Sequence, residues 1–259
     1  MKRMGLSIAA AAGMALAILL AQSIAAQAAE IKIIAGAVMA PVFEELGPQF
    51  ERATGHKLVI IKYGVTGEMK RLIEGGEAFD LAIVGPPLLD DLIKQGKIAA
   101  DSRTPLARVG MGVGVRAGGP KPDVSSVEAF KRALLNAKSV TYVPEGATGI
   151  QLAKVMEQLG ITEQMKAKTK PQTVPVNIAK AVAAGEAELG FALTSILLSV
   201  PGVELAGLFP AELQNWFVNT AGVSAAAKQP DAAKALIKHL TTPAAAAVIK
   251  AKGMEPLSK

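Results

Sequence analysis

The chain has no cysteine, so it has no disulfide framework, thiolate nucleophile or thiolate metal ligand. Histidine is nearly absent as well. His56 and His239 are the only two in 259 residues, and they form no cluster with the ligand spacing of a zinc site. No G-x-S-x-G elbow occurs. A periplasmic hydrolase or metalloenzyme would therefore lack its usual groups, and the chain reads as a non-enzyme with no cofactor and no cationic metal. Aromatic residues are scarce, with one Trp, two Tyr and seven Phe. The basic residues are spread along the chain without an Arg-rich run, which argues against a nucleic-acid partner. Their excess over acidic residues, 28 against 22, gives a mild positive field that favours an anionic partner. After residue 29 no apolar run is long enough to span a bilayer without charges.

What is present begins with Lys2 and Arg3, an apolar stretch from Ile8 to Leu20, and the small residues Ala25-Ala26-Gln27-Ala28-Ala29. That order is the pattern of an export signal cut after Ala28 or Ala29. The uncharged stretch from Met4 to Ala29 is also long enough for a membrane anchor. Its alanine content, its A-x-A pattern and the lack of a basic stop-transfer cluster favour cleavage. The expectation is a signal peptide over 1–28 and a periplasmic product.

The remainder alternates strand, turn and helix. Ile31 to Ile34 reads as a strand, followed by the small turn Ala35-Gly36-Ala37-Val38. Met39, Val42, Phe43, Leu46 and Phe50 recur at helical spacing, with Pro48 expected to bend or split that helix and Gly55 to stop it. Leu58–Lys62 and Phe79–Val84 read as further strands, ending at the turns Gly64-Val65-Thr66-Gly67 and Gly85-Pro86-Pro87. Arg108 to Arg116 reads as one long crossing strand. Its glycines at 110, 112 and 114 could be a dinucleotide loop, but no helix follows. A second unit then begins. It has a helix capped by Ser125, a strand at Ser139–Val143, the turn 144–149, a helix opening at Asn177, and a strand at Glu188–Leu193 ending at Thr194-Ser195. Trp216 to Ser224 reads as a returning strand, followed by two helices.

This pattern gives an α/β class with mainly parallel sheets flanked by helices. Residues 29–112 and 218–259 are expected to form one lobe and 113–217 the other, joined by two hinge crossings. Ligands of such sheets bind at the carboxyl ends of the strands, which puts Gly36, Ala37, Thr66 and Gly67 at the expected site.

Four stretches carry a family resemblance: Ala35-Gly36-Ala37-Val38, Phe50-Glu51-Arg52-Ala53-Thr54-Gly55, Gly64-Val65-Thr66-Gly67 and Phe79-Asp80-Leu81-Ala82-Ile83. With Gly185-Glu186-Ala187-Glu188-Leu189-Gly190-Phe191 and the C-terminal helices from Pro230 to Pro256, they resemble the periplasmic molybdate- and tungstate-binding proteins of ABC transporters. The resemblance implies a two-lobed type II periplasmic binding fold and a monomer that passes a small oxyanion to a membrane ABC permease. It places ligand contacts on Val38, Thr66, Ala147, Thr148, Asn177, Ile178, Leu193 and Thr194. Thr66 keeps a hydroxyl, whereas Val38 and Leu193 stand where the family carries Ser and Tyr, so two donors are lost.

Binding a dianion without a counter-charge is physically reasonable. Helix N-termini offer free N–H groups and a positive dipole end. Each hydrogen bond to a charged group contributes about 1.5–3 kcal/mol, and micromolar binding requires only about 8 kcal/mol. A bland alternative stands beside each site. Thr66 and Thr148 could simply cap their helices, and Lys62 and Arg71 read as solvated surface. Asp80 reads as structural, Tyr142 and Trp216 as core, and both histidines as surface. If Val38 and Leu193 line the cleft, its wall suits a small organic acid anion. A periplasmic sensor is a further alternative.

Overall fold

A computed structural model of the chain describes residues 28–257. The expected export signal lies outside the described residues except for Ala28. Among the described residues, no helix is long and apolar enough to cross a membrane.

The first lobe is a six-stranded sheet in the order β11-β4-β10-β3-β1-β2. Strands β1 (Glu30–Gly36), β2 (Lys57–Gly64) and β3 (Leu81–Val84) are parallel, while β10 (Phe217–Val223) runs antiparallel between β3 and β4 (Thr104–Val109), and β11 is Glu255–Pro256. Alternate residues of β1 point to opposite faces. Ile31, Ile33 and Ala35 pack with α1 (Ala40–Thr54), α9 (Pro230–Leu240) and α10 (Pro243–Ala251). Ile34 packs with α2 (Thr66–Glu74) and α3 (Pro86–Lys94) on the other side. The inner strands β1 and β3 are thus largely buried on both faces, as in a sheet sandwiched between helix layers, while β2 forms a half-buried edge.

The second lobe is a five-stranded sheet, β7-β6-β8-β5-β9. Its strands are β5 (Met111–Arg116), β6 (Val140–Tyr142), β7 (Thr169–Pro171), β8 (Leu189–Leu193) and β9 (Val203–Leu208). Its helices are α4 (Val127–Asn136), α5 (Ala147–Gln158), α6 (Thr162–Lys166), α7 (Pro175–Ala183) and α8 (Thr194–Leu197). Phe130, Phe191 and Phe209 form its aromatic centre, with ring centroids 4.9–6.1 Å apart.

The architecture is the expected two-lobed α/β fold, with several local corrections. The stretch from Arg108 to Arg116 is two strands, broken at Gly110, where the chain leaves the first sheet for the second. Glycines 112 and 114 are packing residues: a Cβ there would come within 2.8 Å of Thr194 and Leu197. Pro48 lies inside a helix that runs uninterrupted to Thr54. Ser126, one residue beyond the expected cap, accepts the Ala129 N–H at 3.2 Å. The α7 helix begins at Pro175, so Asn177 lies within its first turn instead of opening it. The elements β7, β9, β11, α6 and α8 were not anticipated.

Candidate functional site

Because β1, β2 and β3 run parallel and each is followed at once by a helix, their exits lie side by side on one edge of the first sheet. In the second lobe β6 and β8 are also parallel and lead into α5 and α8. The two edges face each other across a cleft of about 590 Å³. Its first-lobe wall contains Gly36, Ala37 and Val38 from the first turn, Gly64 to Gly67 from the second, Gly85 to Leu88 from the third, and Phe217 to Asn219 from β10. The second lobe contributes Ala147 and Leu193.

The cleft's hydrogen-bonding capacity is carried mainly by backbone. The α2 helix opens after Val65, whose carbonyl accepts from Glu68 and Met69 and whose N–H donates to the Glu68 carboxylate at 3.3 Å. Thr66 and Gly67 supply the first amides of that helix, which have no acceptor within it. Thr66 is not a cap: its side chain is exposed in the cleft. The third turn differs, because Pro86 and Pro87 have no N–H at all, so this helix end offers wall in place of donors. Of the lining residues, Thr66, Asn219 and Trp216, the last through its indole N–H, carry hydrogen-bonding side chains, and none is ionisable. Two cationic side chains approach the second turn from outside the lining, Lys62 at Gly64 and Arg71 at Gly67, and a third, Arg108, stands behind Trp216. Arg108 stacks on Trp216 with 3.9 Å from its guanidinium carbon to the ring centroid and pairs with Glu255 at 2.7 Å. Its charge is thus partly neutralised behind the wall. At the end of β2, burial and the nearby Glu44 push the Tyr63 phenol up to about 12, so it stays neutral.

The structure brings seven of the expected ligand residues to the cleft: Gly36, Ala37, Val38, Thr66, Gly67, Ala147 and Leu193. It places four elsewhere. Thr148 is buried in the first turn of α5, behind Ala147. Asn177 is half-buried in α7, away from the lining, and Ile178 packs in a core cluster with Val182, Ala192 and Leu197. Thr194 is buried, and its hydroxyl donates to the Gly253 carbonyl, tying the second lobe to the C-terminal end of the first. The strand ends at Leu193 and Thr194 opens α8, a change of direction that carries its hydroxyl to Gly253 while Leu193 lines the cleft.

The neighbouring readings also sort out. Lys62 and Glu68 stand 3.9 Å apart and are both largely solvated. Tyr142 lies in the second-lobe core. Asp80 is structural: it is 3% exposed and accepts the N–H groups of Lys32, Lys228 and Gln229 at 2.7–3.0 Å. Three readings change. Trp216 is half-buried and lines the cleft, because the second crossing brings it against the first at Gly110. His56 and His239 are half-buried against Phe50, with ring centroids 5.9 and 5.5 Å from its own, and His56 Nδ1 accepts the Ala29 N–H at 3.2 Å.

Sequence reasoning missed Pro86, Pro87, Trp216, Val218 and Asn219 as lining residues. The available signal for Asn219 was a lone amide in an otherwise apolar and small strand, Phe217-Val218-Asn219-Thr220-Ala221.

Residues 31–255 match the model of the bacterial extracellular solute-binding proteins. An aconitate isomerase of Pseudomonas sp. is 32% identical over 228 residues, covering 86% of either chain. The molybdate-binding protein ModA of Azotobacter vinelandii is 32% identical over 236 residues, covering 88% of this chain and 91% of ModA. Among solved structures, a substrate-binding domain assigned to a molybdenum ABC transporter from Clostridium difficile superposes with a TM-score of 0.75. It is 18% identical, and the match covers 88% of this chain and 99% of that one. The chain belongs to the bacterial extracellular solute-binding protein family, as a divergent member of its molybdate- and tungstate-binding group.

Proposed function

We propose that the cleft captures a small organic anion bearing carboxylates and delivers it from outside the cytoplasmic membrane to an ABC permease. The observation that carries this reading is the composition of the wall. Val38, Val65, Met69, Val84, Pro86, Pro87, Leu88, Leu193, Phe217 and Val218 line a space whose donors are backbone amides, the Thr66 hydroxyl, the Trp216 indole N–H and one carboxamide. A bare tetrahedral oxyanion has no carbon skeleton to bury against such a surface. An organic acid does, at about 25 cal/mol per Å² of apolar area removed from water. The volume of about 590 Å³ suits a small molecule, since such sites span about 300–1,000 Å³. The amides of the first and second turns would take a carboxylate as a dipole-favoured anion.

The lobe limits we adopt are the crossings at Gly110 and at residues 209–216. Closure about them would bring the second-lobe amides at Ala147 and Thr148 and the α7 N-terminus with Asn177 and Ile178 towards the ligand, a population shift driven by contacts made from both sides. Thr194 then belongs to the hinge.

Calorimetric titration of the mature protein with citrate, cis-aconitate and trans-aconitate, against molybdate, tungstate and sulfate, tests the reading. Micromolar binding of a carboxylate with no heat from molybdate is the expected result. The reverse pattern would establish the oxyanion ligand and overturn ours. A second reading is favoured by the similarity to the aconitate isomerase: the bound acid is turned over as well as carried. Proton NMR of cis-aconitate incubated with the protein distinguishes the two, since a carrier leaves the spectrum unchanged.

A further inference from the structure

Asn219 stands apart from the rest of the cleft wall. It is 5% exposed, lines the cleft, and has no hydrogen-bond partner for its Nδ2. Buried side-chain donors nearly always have partners, and an exception calls for a reason. The backbone around it is specialised. Asn219 pairs with Ala107 across β4, but the next residue, Thr220, pairs with Pro105, so the ladder skips Leu106. Such bulges re-aim side chains and are enriched beside functional sites. The first turn is also shaped around this amide, since a Cβ on Gly36 would lie 3.1 Å from Asn219 Oδ1. The carboxamide therefore sits beside the Gly36–Val38 turn, on the strand by which the chain returns to the first lobe.

We propose that Asn219 is the specificity-determining residue of the cleft: its carboxamide NH₂ donates to a carboxylate oxygen of the bound anion. The proposal rests on the organic-anion reading above. Turning the amide about its terminal torsion, which is broad and roughly two-fold, presents the nitrogen on the side where Oδ1 now stands against the first turn. A ligand oxygen placed there would meet the turn amides and this donor together. A site built to satisfy a ligand acceptor discriminates strongly against analogues that lack it, because its own donor is then left buried and unpaired. The donor is neutral, so it adds direction without adding charge. It lies on β10, so the ligand would also contact the strand next to the second crossing.

The test compares the unmodified protein with Asn219→Leu, Asn219→Ser and Asn219→Asp by calorimetric titration with trans-aconitate and citrate, alongside thermal melts of the unliganded proteins. Asn219→Leu should melt no lower than the parent yet bind the better carboxylate about 10- to 100-fold more weakly, the worth of one hydrogen bond to a charged group. Asn219→Ser, which keeps a short donor, should recover part of that loss. Asn219→Asp, which replaces the donor with a negative charge, should bind more weakly still. A merely structural role would lower the melting temperatures without this ranking. If the parent binds a carboxylate and the leucine and serine variants bind it equally well, the proposal is overturned and the organic-anion reading stands. If the parent binds neither acid, both are overturned.

Discussion

Removing the Asp80 carboxylate should unlock the first lobe. The side chain is 3% exposed and is the shared acceptor for Lys32 of β1 and for Lys228 and Gln229 in the approach to α9. Its own backbone adds two bonds, from Asp80 N–H to Lys32 and from Ser224 N–H to Asp80. Replacement by alanine deletes three charge-assisted hydrogen bonds, each contributing about 1.5–3 kcal/mol, and leaves three donors to find water at a partly buried junction. Allowing for water reaching some of them, the net loss should be about 3–5 kcal/mol. A chain of this size loses about 2–4 °C of melting temperature per kcal/mol, so the drop should be about 6–20 °C. Urea unfolding followed by far-UV circular dichroism measures it, with Asp101→Ala as the control. Asp101 is 74% exposed and meets Lys234 at 3.6 Å, an exposed pairing expected to contribute no more than about 1 kcal/mol. A loss below about 1 kcal/mol for Asp80→Ala would show that the three bonds exchange freely for water and would refute the argument.

Two further outcomes follow from local geometry. A Cβ on Gly149 would lie 2.0 Å from the Val143 carbonyl oxygen and 2.9 Å from that of Pro144. Gly149→Ala should therefore push the first turn of α5 outward, cost about 1–3 kcal/mol or more, and weaken ligand binding in the same titrations. The Leu58 N–H, bound at 2.8 Å, and then Lys57 hold the Glu51 carboxyl below its usual 4.5. A depressed folded-state value contributes stability that is present above about pH 4.5 and is lost as pH falls through the folded value. Glu51→Gln should accordingly make the acid limb of a stability–pH curve shallower below pH 4.5 and leave its slope near neutrality unchanged.

Most of the first-lobe wall was legible in the sequence, for a simple reason. Strand, small turn and helix follow one another within a few residues at Gly36, Thr66 and Gly85, so the site-forming corners are local. Features that depend on partners distant in sequence were not legible. The apolar run through Gly110 reads as one strand because periodicity is blind to a change of sheet. Thr194 was placed in the cleft because the partner of its hydroxyl, the Gly253 carbonyl, lies 59 residues away in sequence. Asn219 became visible only once β10 was set between β3 and β4 with a skipped residue. The helix α7 is apolar enough to be recognised, but its distance from the cleft is set by packing against β8, which its own residues do not encode.

The two walls are unequal, and that has a kinetic corollary. One half already presents three corners and a strand to an arriving solute, whereas the opposite half touches the gap through Ala147 and Leu193 alone. A molecule entering would therefore be held first on the larger surface, and the smaller would swing onto it afterwards. Stopped-flow traces should then show an observed rate that rises with solute concentration and levels off at the swing rate, the signature of capture preceding closure.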